Sequence, residues 1–126
     1  MRINSRLSNQ EKLSLLGHSG GFGLEKESLR VTMDGRLAQT PHPFPGNKHI
    51  DRDFCENQVE IITNPEGSVR KAVDSVREYH EYVADALWNL KSGREVLWPF
   101  SNPPRISGED EIPVARFSGE LAERTA

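Results

Sequence analysis

The segment 24–32 constrains the fold more than any other, because its side chains alternate in character with the two-residue period of a β-strand. One face of this predicted strand begins with two carboxylates and becomes apolar, whereas the other face is mainly polar and cationic. The first face carries Gly23, Glu25, Glu27, Leu29 and Val31, and the second carries Leu24, Lys26, Ser28 and Arg30. The apolar end predicts that the first face is at least partly buried, where unpaired carboxylates are costly.

A second acidic strand is predicted from Gln58 to Thr63. Its polar face carries Glu56, Gln58 and Glu60, with Val59 and Ile61 opposite and Asp53 just before. Neighbouring carboxylates repel each other unless a cation lies between them, and Mg²⁺ is the ion that such hard oxygen ligands favour. We therefore predict that acids of both strands hold Mg²⁺, with Mn²⁺ as an alternative ion. The same pattern is also typical of solvated sheet faces that bind no metal, and spacing alone does not separate the two.

The remaining segments predict an α+β fold with antiparallel strands and one long packing helix. Asp34-Gly35 is the expected turn pair of a hairpin in which 37–40 is the returning strand. Three prolines between 41 and 45 then exclude regular structure. Apolar residues recur every three or four positions after Ser68, which predicts a helix capped by that serine and ending near Lys91.

Two shorter helices are predicted near the ends of the sequence. Ser8 is the expected N-cap of the first, with Glu11 as its capping-box partner, and Ser118 is the expected N-cap of the second. The two tryptophans, Trp88 and Trp98, are interpreted as core residues.

Composition excludes several classes of function. The net charge of −3 gives no basic face for binding nucleic acid, and no apolar run is long enough for a membrane span. The N-terminus lacks the apolar core of a secretory signal. A single cysteine, Cys55, cannot form an internal disulfide and predicts a reducing compartment. We therefore expect a cytoplasmic protein, and we regard a catalytic role for Cys55 as the less favoured interpretation.

Four segments, in this order, resemble the signature blocks of the bacterial glutamate–cysteine ligases. Residues 23–31 read Gly-Leu-Glu-Lys-Glu-Ser-Leu-Arg-Val, and residues 34–43 continue that block. Residues 53–63 are similar to the block D-F-x-E-x-x-x-E-x-[IF]-T, and residues 98–104 to W-P-x-S-x-P. The resemblance includes the ligase half of bifunctional glutathione synthases.

The resemblance implies a glutamine-synthetase-like fold and an ATP-dependent reaction. In that reaction the γ-carboxylate of glutamate is joined to the amine of cysteine through γ-glutamyl phosphate, and Mg²⁺ neutralises the ATP phosphates. Residue by residue, it implies that Glu25, Glu27, Asp53 and Glu60 are metal ligands, and that Phe54 lines the cysteine pocket. It implies no catalytic residue in this chain and leaves the residues that bind ATP unknown.

Three further positions are expected to support the fold or the site. Glu56 matches a family acid that we expect only to support the site, and Arg30 is expected to have a structural role because strand parity turns it away from the acids. His42, in the proline-rich loop, is interpreted as ordering that loop.

Family members are several hundred residues long, so residues 1–126 are expected to be the N-terminal portion of a catalytic domain, inactive alone. The partners would be glutamate, cysteine, ATP and the remainder of the parent chain, and open strand edges would favour self-association. Two alternatives stay open. One is a related carboxylate–amine ligase with another amine substrate, and the other is a non-catalytic module that binds a metal or a partner protein.

Overall fold

The structure is a computed structural model that describes residues 8–11 and 20–116. A four-stranded sheet, with strand order β2-β3-β1-β4, is antiparallel throughout and is covered by one helix. The elements are β1 (Glu25–Thr32), β2 (Ile50–Asp51), β3 (Gln58–Ile62), α1 (Val69–Trp88), β4 (Glu95–Leu97) and a 3-10 turn (Glu109–Glu111). The predicted α+β class, with antiparallel strands and a long packing helix, is therefore confirmed.

Burial follows the predicted parity on β3 but only in part on β1. On β3, Val59 and Ile61 are each 1% exposed, whereas Glu60 between them is half-buried. On β1 the first face is buried at Val31 and half-buried at Leu29 but exposed at its acidic end. The register pairs Val59 and Ile61 with residues of the second face of β1, so the acids lie on the sheet face opposite the helix-packed core. The expected burial of the first face is therefore met only at its apolar end.

The predicted hairpin after β1 forms, but with a different turn. The loop is Met33–Gly35, closed by a hydrogen bond from the Gly35 N–H to the Thr32 carbonyl (2.9 Å) and one from the Thr32 N–H to the Arg36 carbonyl (2.9 Å). Gly35 alone has a positive φ, of 80°, as expected for a three-residue loop that ends in the left-handed region. The returning segment makes a single bridge, Val31 to Leu37, rather than a full strand.

Helix α1 begins as predicted, because the Ser68 side chain accepts a hydrogen bond from the Lys71 N–H. It ends at Trp88, three residues before the predicted end. Its buried side chains Val83 and Leu87 pack against the sheet. The core around them consists of Phe44, Ile50, Val59 and Ile61, with Tyr79, Ala86, Leu90 and Leu97 partly buried at its margin. Burial of each such aliphatic side chain contributes about 1.5–3 kcal/mol.

A charged pair lies inside the fold beside this core. Arg30 is 0% exposed, and its Nη1 lies 2.8 Å from Glu95 Oε2, which belongs to a side chain 1% exposed. Arg30 also donates to the carbonyls of Thr40 and Glu56, and the Thr40 hydroxyl bonds to both charged partners. The pair joins β1, β4 and the loop after the hairpin, which confirms the structural role predicted for Arg30.

The expectations for the chain ends are only partly covered by the described residues. Ser8 and Glu11 form the predicted capping box, with the Ser8 N–H and the Glu11 carboxylate 2.8 Å apart. The rest of that helix, and the helix predicted after Ser118, lie outside the described residues. In residues 8–11 and 20–116, no helix has the length and apolar character needed to cross a membrane.

His42 orders the proline-rich loop, as predicted. It is 4% exposed, its Nδ1 accepts the Phe44 N–H, and its own N–H donates to Glu56 Oε1. Burial, followed by the positive charges of Arg52 and Arg30, lowers the pKa of His42 to about 4. The imidazole is therefore neutral in the folded chain at neutral pH.

This pKa predicts an acid-dependent loss of stability. The folded pKa lies below the unfolded value of about 6.5, so the unfolded chain binds the extra proton and stability falls as the pH drops from about 6.5 towards 4. We expect the His42 contribution to the free energy of unfolding to be about 2 kcal/mol smaller at pH 5 than at pH 7. Urea unfolding at the two pH values measures it. His42→Asn is the control, and an equal pH dependence in that variant would contradict the assignment.

Candidate functional site

The acids of β1 and β3 meet across the sheet. Register places Glu27 directly opposite Glu60, and Glu60 in turn opposite Asp51 of β2, so three carboxylates form a row across three strands. The backbone N–H of Arg30 donates a hydrogen bond to the Asn57 carbonyl. Hydrogen-bonded and non-hydrogen-bonded pairs alternate along antiparallel strands, so Glu27, three residues before Arg30, forms a non-hydrogen-bonded pair with Glu60. In such pairs the two Cα atoms lie about 4.5 Å apart.

Glu60 lies at the centre of this acidic row and its charge is disfavoured. Burial raises the pKa of Glu60, and the neighbouring charges raise it further, in the order Asp53, Glu25, Glu27 and Asp51. The other three acids expected as metal ligands therefore all act on Glu60. Their charges repel, which is the electrostatic condition under which a cation binds.

The ligand side chains do not converge as they stand. Glu25 and Glu27 are exposed, and Asp53 and Glu60 are half-buried. Among the described residues, no three side chains of Asp, Glu, His or Cys are close enough together to hold a metal ion. Glu25 is exposed, so its side chain can rotate, whereas the carboxylate of Glu27 accepts a hydrogen bond from Gln58.

Gln58 connects two parts of this site. Its Nε2 donates to Glu27 Oε2 over 2.8 Å, and its Oε1 accepts the backbone N–H of Phe54 over 3.3 Å. The side chain of Phe54 is 80% exposed, next to Asp53 in the turn between β2 and β3. Sequence analysis placed Gln58 on the acidic face but assigned it no role.

A cavity of about 330 Å³ opens next to Glu27. Leu29, Trp98 and Phe100 give it an apolar wall, and the aromatic rings of Trp98 and Phe100 meet edge to face at 5.0 Å. The Trp98 Nε1–H donates to the Asn102 carbonyl over 2.6 Å, which fixes the indole. The interpretation of Trp98 as a core residue is therefore wrong. Its ring is half-buried at the mouth of a cavity because β4 ends one residue earlier.

Trp88 is not a core residue either. It is 44% exposed at the end of α1, with the guanidinium of Arg94 4.5 Å from the ring centre. The interpretation of Trp88 as a core residue is therefore wrong, whereas Val83 and Leu87, which lie on the predicted apolar face of the helix, do pack on the sheet.

Glu56 holds loops together. Its Oε1 accepts the His42 N–H, while its Oε2 accepts the Arg116 N–H at 2.8 Å and lies 3.0 Å from Arg52 Nε. Burial alone would raise the pKa of Glu56, but the hydrogen bonds from Arg116, His42 and Arg52 outweigh it and the pKa is lowered. Both oxygens are thus engaged, so the supporting role expected for Glu56 fits better than metal ligation.

Cys55 has the environment of an unreactive thiol. It is 8% exposed, its Sγ lies 3.7 Å from Gln58 Oε1, and burial is the main cause that raises its pKa. A thiol is a weak nucleophile while it stays protonated. This environment agrees with the interpretation that Cys55 is not catalytic.

Comparisons with known proteins agree on one family. The family model for glutamate-cysteine ligase matches residues 5–125. The glutathione biosynthesis bifunctional protein GshAB of Listeria monocytogenes serotype 4b is 46% identical over 111 residues, which is 84% of this chain and 14% of that protein.

Two solved structures resemble the fold. The bifunctional glutathione synthetase from Pasteurella multocida has a TM-score of 0.71 and 38% identity, over 85% of this chain and 15% of its own. The glutamate–cysteine ligase from Francisella tularensis in complex with AMP has a TM-score of 0.63 and 36% identity, over 76% of this chain and 19% of its own. The chain thus spans less than a fifth of the length of each of these relatives. It belongs to the glutamate–cysteine ligase family.

Proposed function

We propose that the chain is the N-terminal part of the catalytic domain of a cytoplasmic, ATP-dependent ligase. The enzyme joins the γ-carboxylate of glutamate to the amine of cysteine through γ-glutamyl phosphate, in the first step of glutathione biosynthesis. Family membership supports this reaction. The observation that carries it is the row of carboxylates across the sheet, in which Glu27 and Asp51 lie opposite Glu60. The proposed parent fold is glutamine-synthetase-like, with the remainder of the longer chain completing the active site.

Glu25, Glu27, Asp53 and Glu60 are the proposed ligands for Mg²⁺ or Mn²⁺. The donors are all carboxylate oxygens, the ligand type that hard divalent cations prefer. Burial and then the neighbouring carboxylates raise the pKa of Glu60, and a bound cation would relieve that repulsion. When bound, Mg²⁺ neutralises charge on the ATP phosphates and on the phosphoryl group in transfer. Rotation of the exposed Glu25 side chain towards Glu60 and Glu27 would bring the ligands closer together.

Phe54 is the proposed contact for the cysteine substrate. Its exposed ring lies one residue from the proposed ligand Asp53, so an amine substrate held against it would lie near the proposed metal ligands. The Francisella ligase was solved with AMP, which supports ATP as the co-substrate here. No catalytic residue is assigned to this chain, and its role is to bind and orient.

A chimera tests the proposed reaction. Residues 20–116 replace the matching segment of the Listeria GshAB protein, to which the chain is 46% identical. We expect the chimera to form γ-glutamylcysteine from glutamate, cysteine, ATP and Mg²⁺, and the isolated chain to form none. Glu27→Gln in the chimera should lower the rate about 100-fold or more, because a metal contact to phosphate stabilises the transition state by several kcal/mol.

Glu78→Gln, an exposed acid on α1, is the matched control and should leave the rate of the chimera unchanged. A chimera that folds but makes no γ-glutamylcysteine would contradict the proposed function, as would full activity in the Glu27→Gln variant. A preference for another amine in a substrate screen would instead identify a related carboxylate–amine ligase.

A further inference from the structure

The side-chain amide of Gln58 forms hydrogen bonds through both its nitrogen and its oxygen. One end donates to the carboxylate of Glu27 over 2.8 Å, and the other accepts the Phe54 N–H over 3.3 Å. The Cys55 thiol, 3.7 Å away, approaches the same amide oxygen. One side chain therefore spans β1 and the turn that carries Asp53 and Phe54.

The position of Gln58 explains why an amide is needed there. Its register partner on β1 is Leu29, and Glu27 is the diagonal neighbour, within reach of a long side chain. A glutamate at this position would add another like charge to the acidic face and could not donate to Glu27. An aliphatic side chain would leave the Phe54 N–H without its partner. Only a side chain with both a donor and an acceptor serves both contacts.

Glu27 depends on this contact for its orientation. It is exposed, and among the described residues Gln58 is the one that makes a side-chain hydrogen bond to its carboxylate. A free glutamate populates several rotamers, and fixing one of them lowers the entropy that metal binding must overcome. Residues that hydrogen-bond a metal ligand typically change metal affinity when they are replaced.

We propose that Gln58 is a positioning residue that restrains the carboxylate of Glu27, one of the proposed metal ligands, and ties it to the turn bearing Asp53 and Phe54. The inference rests on the proposed function, since it presumes that Glu27 is a metal ligand. It adds a physical link between two parts of the site: the metal ligand and the wall of the amine pocket move together, because one amide holds both. Gln58 itself binds neither metal nor substrate.

Mg²⁺ titration by calorimetry tests this role in the full 126-residue chain. In Gln58→Leu the dissociation constant for Mg²⁺ is expected to rise about 10–100-fold. Gln39→Leu is the matched control, because the Gln39 amide also donates a hydrogen bond, in its case to the backbone carbonyl of Glu111, but Gln39 lies outside the acidic row. It should bind Mg²⁺ with the affinity of the unchanged chain.

Urea unfolding without Mg²⁺ separates positioning from a general structural role. The midpoint of Gln58→Leu should stay close to that of the Gln39→Leu control while its Mg²⁺ affinity falls. If Gln58→Leu does not fold, Gln58→Asn keeps the amide but is one methylene too short for both contacts, and the same loss of affinity is expected. Unchanged Mg²⁺ affinity in a folded Gln58 variant overturns the inference alone. Absence of Mg²⁺ binding in the unchanged chain overturns the proposed metal site itself.

Discussion

Replacing Glu95 by glutamine is expected to lower the free energy of unfolding by about 3–5 kcal/mol. The glutamine keeps the shape of the side chain but removes the charge that compensates Arg30, whose guanidinium is 0% exposed. The buried cation then keeps only neutral partners, the side chain and carbonyl of Thr40 and the carbonyl of Glu56. Equilibrium unfolding in urea, followed by circular dichroism, measures the loss.

The exposed pair Asp74–Arg77 on α1 is the matched control. Its two charges also lie 2.8 Å apart but both side chains are at least 46% exposed, so Asp74→Asn should change the free energy by less than about 1 kcal/mol. Replacing both buried partners, Arg30→Met with Glu95→Leu, should cost less than Glu95→Gln alone, because no buried charge is left uncompensated. Equal losses in the free energy of unfolding for Glu95→Gln and Asp74→Asn would contradict the stabilising role of the buried pair.

Replacing Glu60 by glutamine is expected to have opposite effects on stability and on metal binding. Without divalent cations the variant should be more stable by about 0.2–1 kcal/mol, because Glu60 directly faces Glu27 and also lies opposite Asp51. With Mg²⁺ the unchanged chain should gain stability as the ion binds its folded form, and the variant should gain little. Urea unfolding with and without Mg²⁺ measures both effects.

Glu78→Gln, which removes one charge from the exposed face of α1, should show neither effect. A Glu60→Gln variant that is less stable without metal would mean that its charge is satisfied in the fold, contrary to the raised pKa of that carboxyl. Such opposite effects are typical of functional sites, where local repulsion persists because a ligand relieves it.

The sequence predicted those parts of the fold that depend on local rules. Strand parity correctly separated Glu25 and Glu27 from Lys26 and Arg30, and the helix cap at Ser68 formed as predicted. The turn type was missed because Asp-Gly suits two kinds of hairpin loop. The choice depends on the backbone of Asp34, which does not enter the left-handed region.

Such local rules do not identify contacts between residues that lie far apart in the sequence. Glu95 lies 65 residues from Arg30, and nothing in its local pattern marks it as the buried counter-charge. The opposition of Glu27 and Glu60 is also a matter of register, which depends on how β3 buries Val59 and Ile61. The metal ligands themselves came from the resemblance, since alternating acids alone are equally typical of a solvated sheet.

Gln58 could have been found earlier from two signals in the sequence. It lies on the acidic face of the second strand, and it is the one uncharged polar residue between Glu56 and Glu60 on that face. An amide among carboxylates suggests a hydrogen-bond donor to one of them. Only the register, however, identifies Glu27 as the acceptor.

Calorimetric titration with Mg²⁺ tests most directly whether the acids of β1 and β3 form a cation site. The unchanged chain is expected to give a saturable heat of binding, and the double variant Glu25→Gln, Glu27→Gln should give none. The control, Glu78→Gln with Glu81→Gln on the exposed face of α1, should titrate like the unchanged chain. Equal heats for the unchanged chain and the Glu25, Glu27 variant would contradict the assignment of these carboxylates as metal ligands.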